Sequence, residues 1–132
     1  MTLRERQDQF ISEMAKHGSW SDKFNYLISL SKEIPALYFD FLQNYRIEGC
    51  QSRTYFKAWI YNNNLYVYGW SNSLIIAGLI VALTKIFNFS TSEEIINTEI
   101  DFHIKSGLIE NVTTLRKSAL EEMIRRINVL YL

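Results

Sequence analysis

One stretch of this chain, residues 74–83, is so uniformly apolar that it constrains where the rest can pack. With its continuation it predicts a helix over residues 73–87 that is apolar nearly all round, and Ser71 is its expected cap. A helix without a polar face belongs in the middle of a domain. The apolar stretch contains Gly78 and is about ten residues long, whereas a membrane-spanning helix needs about 20 apolar residues. We therefore interpret it as a core helix.

A β-hairpin is predicted just before this helix. From residue 52 onwards, apolar and polar positions alternate with the spacing of a strand, and aromatic and β-branched residues are frequent. Residues 62–64 are all Asn, which tolerates the left-handed backbone of a tight turn, and residues 65–70 are the returning strand. Residues 45–48 are predicted as a third strand, which gives a small antiparallel sheet.

Two helices are predicted before the sheet. Thr2 and Glu5 match a capping box, in which each side chain accepts a hydrogen bond from the other residue's backbone N–H, and this opens the first helix. Ser19 or Ser21 is expected to cap the second. Residues 36–42, after the only proline, are predicted to be a short helical or irregular piece.

Further helices are predicted after the core helix. Thr91 and Glu94 match a second capping box, whose helix is expected to turn Ile95 and Ile96 inward. Apolar residues recur at steps of three and four from about residue 114, which predicts an amphipathic terminal helix. The order of elements predicts an α+β fold, a two-layer sandwich with about three antiparallel strands and several helices, in a single domain over residues 1–132.

The composition excludes several functional classes. The chain has 14 Lys and Arg against 14 Asp and Glu, and affinity for nucleic acids depends on surplus Lys and Arg, so no nucleic-acid partner is expected. Because neither an apolar export signal nor a spanning helix is visible, no membrane partner is expected either. The single cysteine excludes an internal disulfide. Together these features favour a reducing, cytoplasmic location.

Cys50 is the main candidate for chemistry. It follows Gly49, whose freedom to adopt a positive φ favours a tight, exposed loop, and it stands just before a predicted strand. Arg46 and Arg53 flank it and could favour the thiolate, which is the reactive form of the side chain. The alternative is an inert cysteine that packs as a small apolar residue, and the residue pattern alone favours this alternative.

The positions of the other potentially catalytic residues in the sequence do not predict an active site. His17 and His103 lie on separate predicted helices and have no ligand-pair spacing. Tyr66, Tyr68 and Trp70 share one strand face, which could stack on nucleic-acid bases. Since no excess of basic residues accompanies these rings, we interpret them as a packed sheet face.

Four segments of the chain, residues 20–35, 47–53, 71–79 and 115–124, follow one another in the order found in a known family. Together they resemble the SufE family of sulfur-acceptor proteins. Residues 20–35 are similar to the opening of that family, and residues 47–53 resemble its cysteine loop. Residues 71–79 are similar to the start of one of its helices, and residues 115–124 resemble its terminal helix. The resemblance runs in register over about residues 10–127 and implies the fold of that family, which is similar to that of the IscU-type scaffolds.

The resemblance implies that Cys50 takes persulfide sulfur from a pyridoxal-phosphate-dependent cysteine desulfurase and delivers it for iron–sulfur cluster assembly. The chain would then be a covalent sulfur carrier that stimulates the desulfurase, rather than a stand-alone enzyme. Its implied partners are a SufS-like cysteine desulfurase and a downstream SufBCD-like scaffold. No cofactor or metal is expected on this chain, because the pyridoxal phosphate belongs to the desulfurase. We expect a monomer or a weak homodimer.

By the same resemblance, six residues support the cysteine loop or contact the partner. They are Gly49, Gln51, Ser52, Ser71, Asn72 and Arg116. Asn72 stands where the family usually has aspartate, so a charge beside the loop is absent. For Arg116 the alternative is an ordinary arginine on a helix surface.

The expected chemistry needs a thiol that is sheltered at rest and reaches a partner when docked. We expect the loop to pack against the junction of sheet and helix and to swing outward about Gly49, with Phe56 and Leu74 lining the shelter. Two alternatives remain open. An iron–sulfur scaffold normally offers three cysteines, whereas this chain offers one. A non-covalent regulatory module would bind the desulfurase without using its thiol.

Overall fold

The hairpin forms as the sequence predicts. In the computed structural model, which describes residues 1–37, 43–49 and 52–132, strands β1 (Thr54–Tyr61) and β2 (Asn64–Ser71) pair antiparallel. Asn62 and Asn63 take φ values of 50° and 64°. Two successive residues in the left-handed region make the kind of tight turn whose twist matches that of the strands it joins.

The two faces of the hairpin differ in burial. Along β2, the odd-numbered residues are buried and the even-numbered ones are half-exposed. Thr54 pairs with Ser71 at the open end of the hairpin, so both hydroxyl side chains belong to the buried face. Tyr66 and Trp70 lie on the outer face, where Trp59 stacks on Tyr66 with ring centroids 5.6 Å apart. The outer aromatic residues are therefore a sheet face in which rings pack on one another.

Helix α3 (Leu74–Phe87) is the core helix, and most of its residues are buried. It packs so closely against α2 (Trp20–Leu30) that a Cβ placed on Gly78 would lie 1.9 Å from the Leu27 carbonyl oxygen. The prediction that Ser71 caps α3 is wrong. Ser73 is the cap, and its hydroxyl accepts a hydrogen bond from the N–H of Ile76. Strand β2 continues to Ser71, so the helix begins later than expected.

The remaining helices surround this core. They are α1 (Leu3–Ala15), α4 (Ser92–Asn97), α5 (Phe102–Lys105), α6 (Leu108–Asn111) and α7 (Thr114–Asn128), with single 3-10 turns at Ser31–Glu33, Gln43–Tyr45 and Val129–Tyr131. The capping boxes at Thr2 and Thr91 are both confirmed, and Ser19 caps α2. Ile95 is buried as expected, but Ile96 is 65% exposed, because the short α4 presents only one side to the core.

The predicted third strand is wrong within the part of the chain that the structure describes, where the sheet has two strands. Arg46 makes an isolated bridge to Tyr55, and Tyr45 belongs to a 3-10 turn. Gly49, at φ 79°, ends the extended stretch on the other side, so too few residues are left for a strand. The predicted piece at residues 36–42 falls mostly on residues 38–42, which lie outside the described residues.

The fold is mixed α+β, as the sequence predicts, with the buried face of the hairpin packed on α3 and α7 contacting β1. None of the helices in the described ranges is long and apolar enough to cross a membrane. The open end of the hairpin, where β1 begins and β2 leads into α3, carries the candidate site.

Candidate functional site

Cys50 and Gln51, two of the predicted site residues, lie outside the described residues, so the site is built from the chain on either side of them. On the N-terminal side, the Ile47 N–H donates to the Thr54 carbonyl oxygen at 2.9 Å. On the C-terminal side, Arg53 and Asn72 form two hydrogen bonds. Arg53 N–H donates to Asn72 Oδ1 at 2.9 Å, and Asn72 N–H donates to the Arg53 carbonyl at 3.1 Å. Residues 48–52 therefore connect two anchored ends.

Arg126 on α7 fixes the N-terminal anchor further. Its Nη1 donates to the carbonyl oxygens of Tyr45 and Phe56, both at 2.8 Å, and its Nη2 donates to the Arg46 carbonyl at 3.0 Å. Its Nε donates to Glu122 at 3.0 Å, so a carboxylate balances the charge of the guanidinium. One side chain thus ties the segment before the cysteine loop to both β1 and α7. No sequence pattern pointed to Arg126.

Gly49 adopts the positive φ that its place before the cysteine suggested, with a value of 79°. A Cβ built on it would have no neighbour within 4 Å. Backbone conformation, and not lack of space, is therefore the reason for glycine here, since other residues rarely adopt such φ values.

Three hydroxyl groups meet at the open end of the hairpin. Thr54 Oγ1 lies 3.0 Å from Ser52 Oγ and 2.9 Å from Ser71 Oγ, and the two serine oxygens are 3.5 Å apart. The N–H of Ser73 donates to Ser71 Oγ at 3.1 Å. We call Ser52, Thr54 and Ser71 the hydroxyl cluster. The cluster links the start of α3 to Ser52, the first residue after Gln51.

A cavity of about 570 Å³ opens beside this cluster. Its lining residues come from the loop stem, the start of α3 and the start of α7, and they are Ser52, Asn72, Ser73, Ile76, Thr113, Leu115 and Arg116. Ser73 and Thr113 are the N-caps of two long helices, whose N-terminal ends carry partial positive charge. Across the described ranges, no carboxylate pairs with Arg116. The cavity is electropositive.

The structure brings together most of the predicted supporting residues. Ser52, Asn72 and Arg116 line the cavity, and Ser71 lies behind Ser52 in the hydroxyl cluster. Thr113 and Ser73 were not predicted as site residues. In the sequence, Ser73 and Thr113 could be recognised only as possible helix caps. That property does not predict that the N-terminal ends of α3 and α7 meet at one cavity.

Two pairs of residues that were expected near the thiol are absent from the lining of this cavity. Phe56 and Leu74 do not line the cavity, because Phe56 is fully buried in the core and Leu74 is 59% exposed at the start of α3. Arg46 and Arg53 are also absent from the lining, and the Arg53 guanidinium lies over the Trp70 ring, 5.3 Å from its centroid. Since Arg53 faces the outer side of the sheet, the arginine at the cavity is Arg116, which is distant in sequence.

The histidines lie elsewhere, as expected. His17 stacks on Tyr26 with ring centroids 4.9 Å apart. His103 is part-buried beside Phe102, and burial lowers the pKa of its imidazole because the charged form is poorly solvated there. Neither residue lines the cavity. Within the described residues, no three His, Cys, Asp or Glu side chains gather as a metal site.

Comparisons with known proteins place this arrangement in context. The sequence profile of SufE, an Fe-S metabolism associated domain, matches residues 8–130. An uncharacterised SufE-like protein of Rhizobium meliloti (strain 1021) is 29% identical over 126 residues, covering 91% of this chain and 90% of that protein. The solution structure of a hypothetical protein from Thermus thermophilus is similar with a TM-score of 0.65 at 16% identity, covering 98% of both chains. This structural likeness shows a shared fold, and the profile match includes every residue of the cavity.

Proposed function

This chain belongs to the SufE family of iron–sulfur metabolism, and from that premise we propose that Cys50 is a sulfur carrier. It accepts persulfide sulfur from a SufS-like, pyridoxal-phosphate-dependent cysteine desulfurase and stimulates the turnover of that enzyme. The sulfur then passes to a SufBCD-like scaffold for cluster assembly, in the cytoplasm. The chain itself needs one thiol and no bound cofactor for this role.

The transfer is an exchange between thiol and persulfide. The Cys50 thiolate attacks the outer sulfur of the donor's persulfide, forming a new S–S bond to Cys50 while the donor's S–S bond breaks. The donor cysteine leaves as a thiolate, and the outer sulfur, with its proton, becomes the end of the Cys50 persulfide. No net oxidation or reduction takes place, so the step needs no metal and no external oxidant.

The observation that carries this proposal is the electropositive cavity at the ends of the cysteine loop. Cys50 is two residues from Ser52, which lines the cavity, and two residues span at most about 7 Å of chain. The thiolate that attacks carries a negative charge, and so does a persulfide that has lost its proton. Arg116 and the N-terminal ends of α3 and α7 supply full or partial positive charge to the cavity that Ser52 lines.

The anchors on either side explain how the thiol could move without unfolding the domain. Arg126 and Asn72 hold the two ends of the loop, and Gly49 lies between them with a backbone conformation that only glycine adopts easily. We propose that Gly49 is the hinge about which the loop swings from the cavity towards the desulfurase. Exposed Leu74 and Leu115 beside the cavity offer apolar area for that docking.

The test is a desulfurase assay with sulfur-labelled cysteine, with and without this protein. We expect label on Cys50 and a mass increase of one sulfur atom, about 32 Da, which a reducing agent removes. The Cys50→Ser variant is the control, because serine preserves the size of the side chain but cannot form a persulfide. If this variant stimulates the desulfurase as well as the wild type does, the covalent proposal is wrong and a non-covalent regulatory module is favoured.

A further inference from the structure

Two exposed leucine side chains lie beside the cavity at the open end of the hairpin. Leu74 is 59% exposed on the first turn of α3, and Leu115 is 39% exposed on the first turn of α7. Leu115 lines the cavity, and Leu74 directly follows Ser73, which also lines it. Single exposed apolar residues are common on protein surfaces, whereas apolar residues that gather at one place are typical of interaction sites. These two leucines therefore indicate a contact area for a partner.

Three cationic side chains belong to the same region. Arg116 lines the cavity, and Lys117 is the exposed residue that follows it on α7. Arg53 is exposed, and its backbone is hydrogen-bonded to Asn72, another lining residue. Throughout the described ranges, no carboxylate forms an ion pair with Arg53, Arg116 or Lys117. The charges of these side chains can therefore attract a carboxylate of another molecule.

Most of the other cationic side chains form ion pairs within the chain. They are Arg4, Arg6, Lys16, Lys85, Lys105, Arg125 and Arg126. Beside the cysteine loop, exposed Glu48 adds one negative charge and exposed Arg46 adds a further positive one. The chain as a whole has no net charge, so the positive charge of this region is local. A local excess of one sign attracts and orients a partner of the opposite sign.

We propose that this region is the docking surface for an acidic patch on the desulfurase that donates the sulfur. The docking surface consists of Leu74, Leu115, Arg53, Arg116 and Lys117. Apolar contacts at the centre of an interface exclude water, and charges at its rim set the rate and orientation of encounter. The partner must therefore offer apolar residues edged by Asp or Glu. The inference rests on the proposed function for the identity of the partner, but the association can be measured without any sulfur transfer.

The experiment measures the dissociation constant between this protein and a purified SufS-like desulfurase by isothermal titration calorimetry. All variants carry Cys50→Ser and no cysteine is added, so docking is measured without sulfur transfer. Lys117→Glu and Arg53→Glu should each weaken binding about three- to tenfold at about 0.05 M salt, and by less at about 0.5 M, because salt screens exposed charges. Leu74→Ala and Leu115→Ala should each weaken binding at least about threefold at both salt concentrations, because apolar contacts are not screened.

Lys32→Glu is the matched control for the charge reversals. Lys32 is exposed on the 3-10 turn Ser31–Glu33, and no carboxylate of the described residues pairs with it. The same turn is joined to Lys85, near the C-terminal end of α3. Eleven residues of helix separate Lys85 from Leu74, which is about 16 Å along the axis. This variant has the same change in net charge and should bind the desulfurase as the wild type does.

Ile96→Ala is the matched control for the leucine substitutions. Ile96 is 65% exposed on α4, and Glu93 of the same helix accepts a hydrogen bond from Asn63 in the hairpin turn. It therefore lies at the opposite end of the hairpin from the docking surface. Loss of its side chain should leave the dissociation constant unchanged, and circular dichroism checks that every variant is folded.

The inference is wrong if the Cys50→Ser protein does not bind the desulfurase, or if either the charge reversals or the leucine variants bind as tightly as it does. It is also wrong if Lys32→Glu weakens binding as much as Lys117→Glu, since net charge alone would then explain the effect. A second copy of this chain is the other possible occupant. If Leu74→Ala dissociates a dimer in sedimentation and leaves desulfurase binding unchanged, that occupant replaces the desulfurase.

The outcome for docking is separate from the outcome for sulfur transfer. If the surface variants weaken binding as expected but Cys50 of the wild type never carries labelled sulfur, the proposed function fails and the docking surface stands. If Cys50 carries the label and every surface variant binds equally well, the proposed function stands and the docking surface is wrong.

Discussion

Asn72 holds Arg53 through two hydrogen bonds that together close the C-terminal end of the cysteine loop. Asn72 Oδ1 accepts from Arg53 N–H at 2.9 Å, and Asn72 N–H donates to the Arg53 carbonyl at 3.1 Å. Of the Asn72 side chain, only the oxygen takes part, because the second hydrogen bond uses the backbone N–H. The aspartate that is usual in the resembling family offers the same acceptor, so asparagine at this position keeps the anchor without the charge.

We therefore expect Asn72→Asp and Asn72→Ala to differ in stability. The Asp variant keeps the acceptor, and its free energy of unfolding should stay within about 0.5 kcal/mol of the wild type. The Ala variant loses the hydrogen bond to Arg53, which should cost about 1 kcal/mol. Urea denaturation followed by circular dichroism measures both. Equal losses in the two variants would show that the amide group is needed for some other contact.

Substitution of Arg126 should destabilise the fold more than substitution of most other surface-accessible residues. Arg126→Met removes the donors to three carbonyl oxygens, those of Tyr45, Arg46 and Phe56, and we expect a loss of about 2–3 kcal/mol in the free energy of unfolding. Arg125→Met is the control, because among the described residues the exposed Arg125 pairs only with Glu122. That variant should lose less than about 1 kcal/mol in the same urea titration. Similar losses for both would mean that the carbonyl contacts contribute little.

The parts of the fold that depend on neighbouring residues were predictable from the sequence. The capping boxes at Thr2 and Thr91 and the turn at Asn62 and Asn63 all form, because their hydrogen bonds and backbone angles are satisfied within a few residues. The cap of α3 was predicted at the wrong serine, Ser71, because pairing with a distant strand extends β2 to that residue.

The site depended on contacts between distant residues and was only partly predictable. The resemblance to a family pointed to Arg116, whereas the meeting of two helix ends at the cavity follows from packing that leaves no local pattern. Arg126 binds carbonyl oxygens of Tyr45 and Phe56, and since every residue has a carbonyl, no sequence signal identifies such acceptors. Leu74 was expected in a core helix that is apolar nearly all round, but it is exposed, because exposure depends on what packs against each residue.

The contact between α2 and α3 should tolerate no side chain at Gly78. A Cβ there would lie 1.9 Å from the Leu27 carbonyl oxygen, so Gly78→Ala must push the two helices apart. We expect a loss of more than about 3 kcal/mol or failure to fold, measured by thermal denaturation and by the yield of soluble protein. Gly18→Ala is the control, because a Cβ at Gly18 meets nothing within 4 Å. It should change the stability by less than about 1 kcal/mol.

The ion pairs of Glu122 should make the stability depend on pH in the acid range. Hydrogen bonds from Arg125 and then Arg126 lower the pKa of Glu122 from 4.5 to about 2. A carboxylate whose pKa is lower in the folded state stabilises the protein above its unfolded pKa, and this contribution is lost as the pH falls towards the folded pKa. The difference in unfolding free energy between the wild type and Glu122→Gln should therefore be constant above about pH 5 and shrink towards pH 2. Urea titrations at a series of pH values measure it. In a background that carries Arg125→Met and Arg126→Met, Glu122→Gln should have no such pH-dependent effect, and persistence of the dependence would assign it to other partners of the carboxylate.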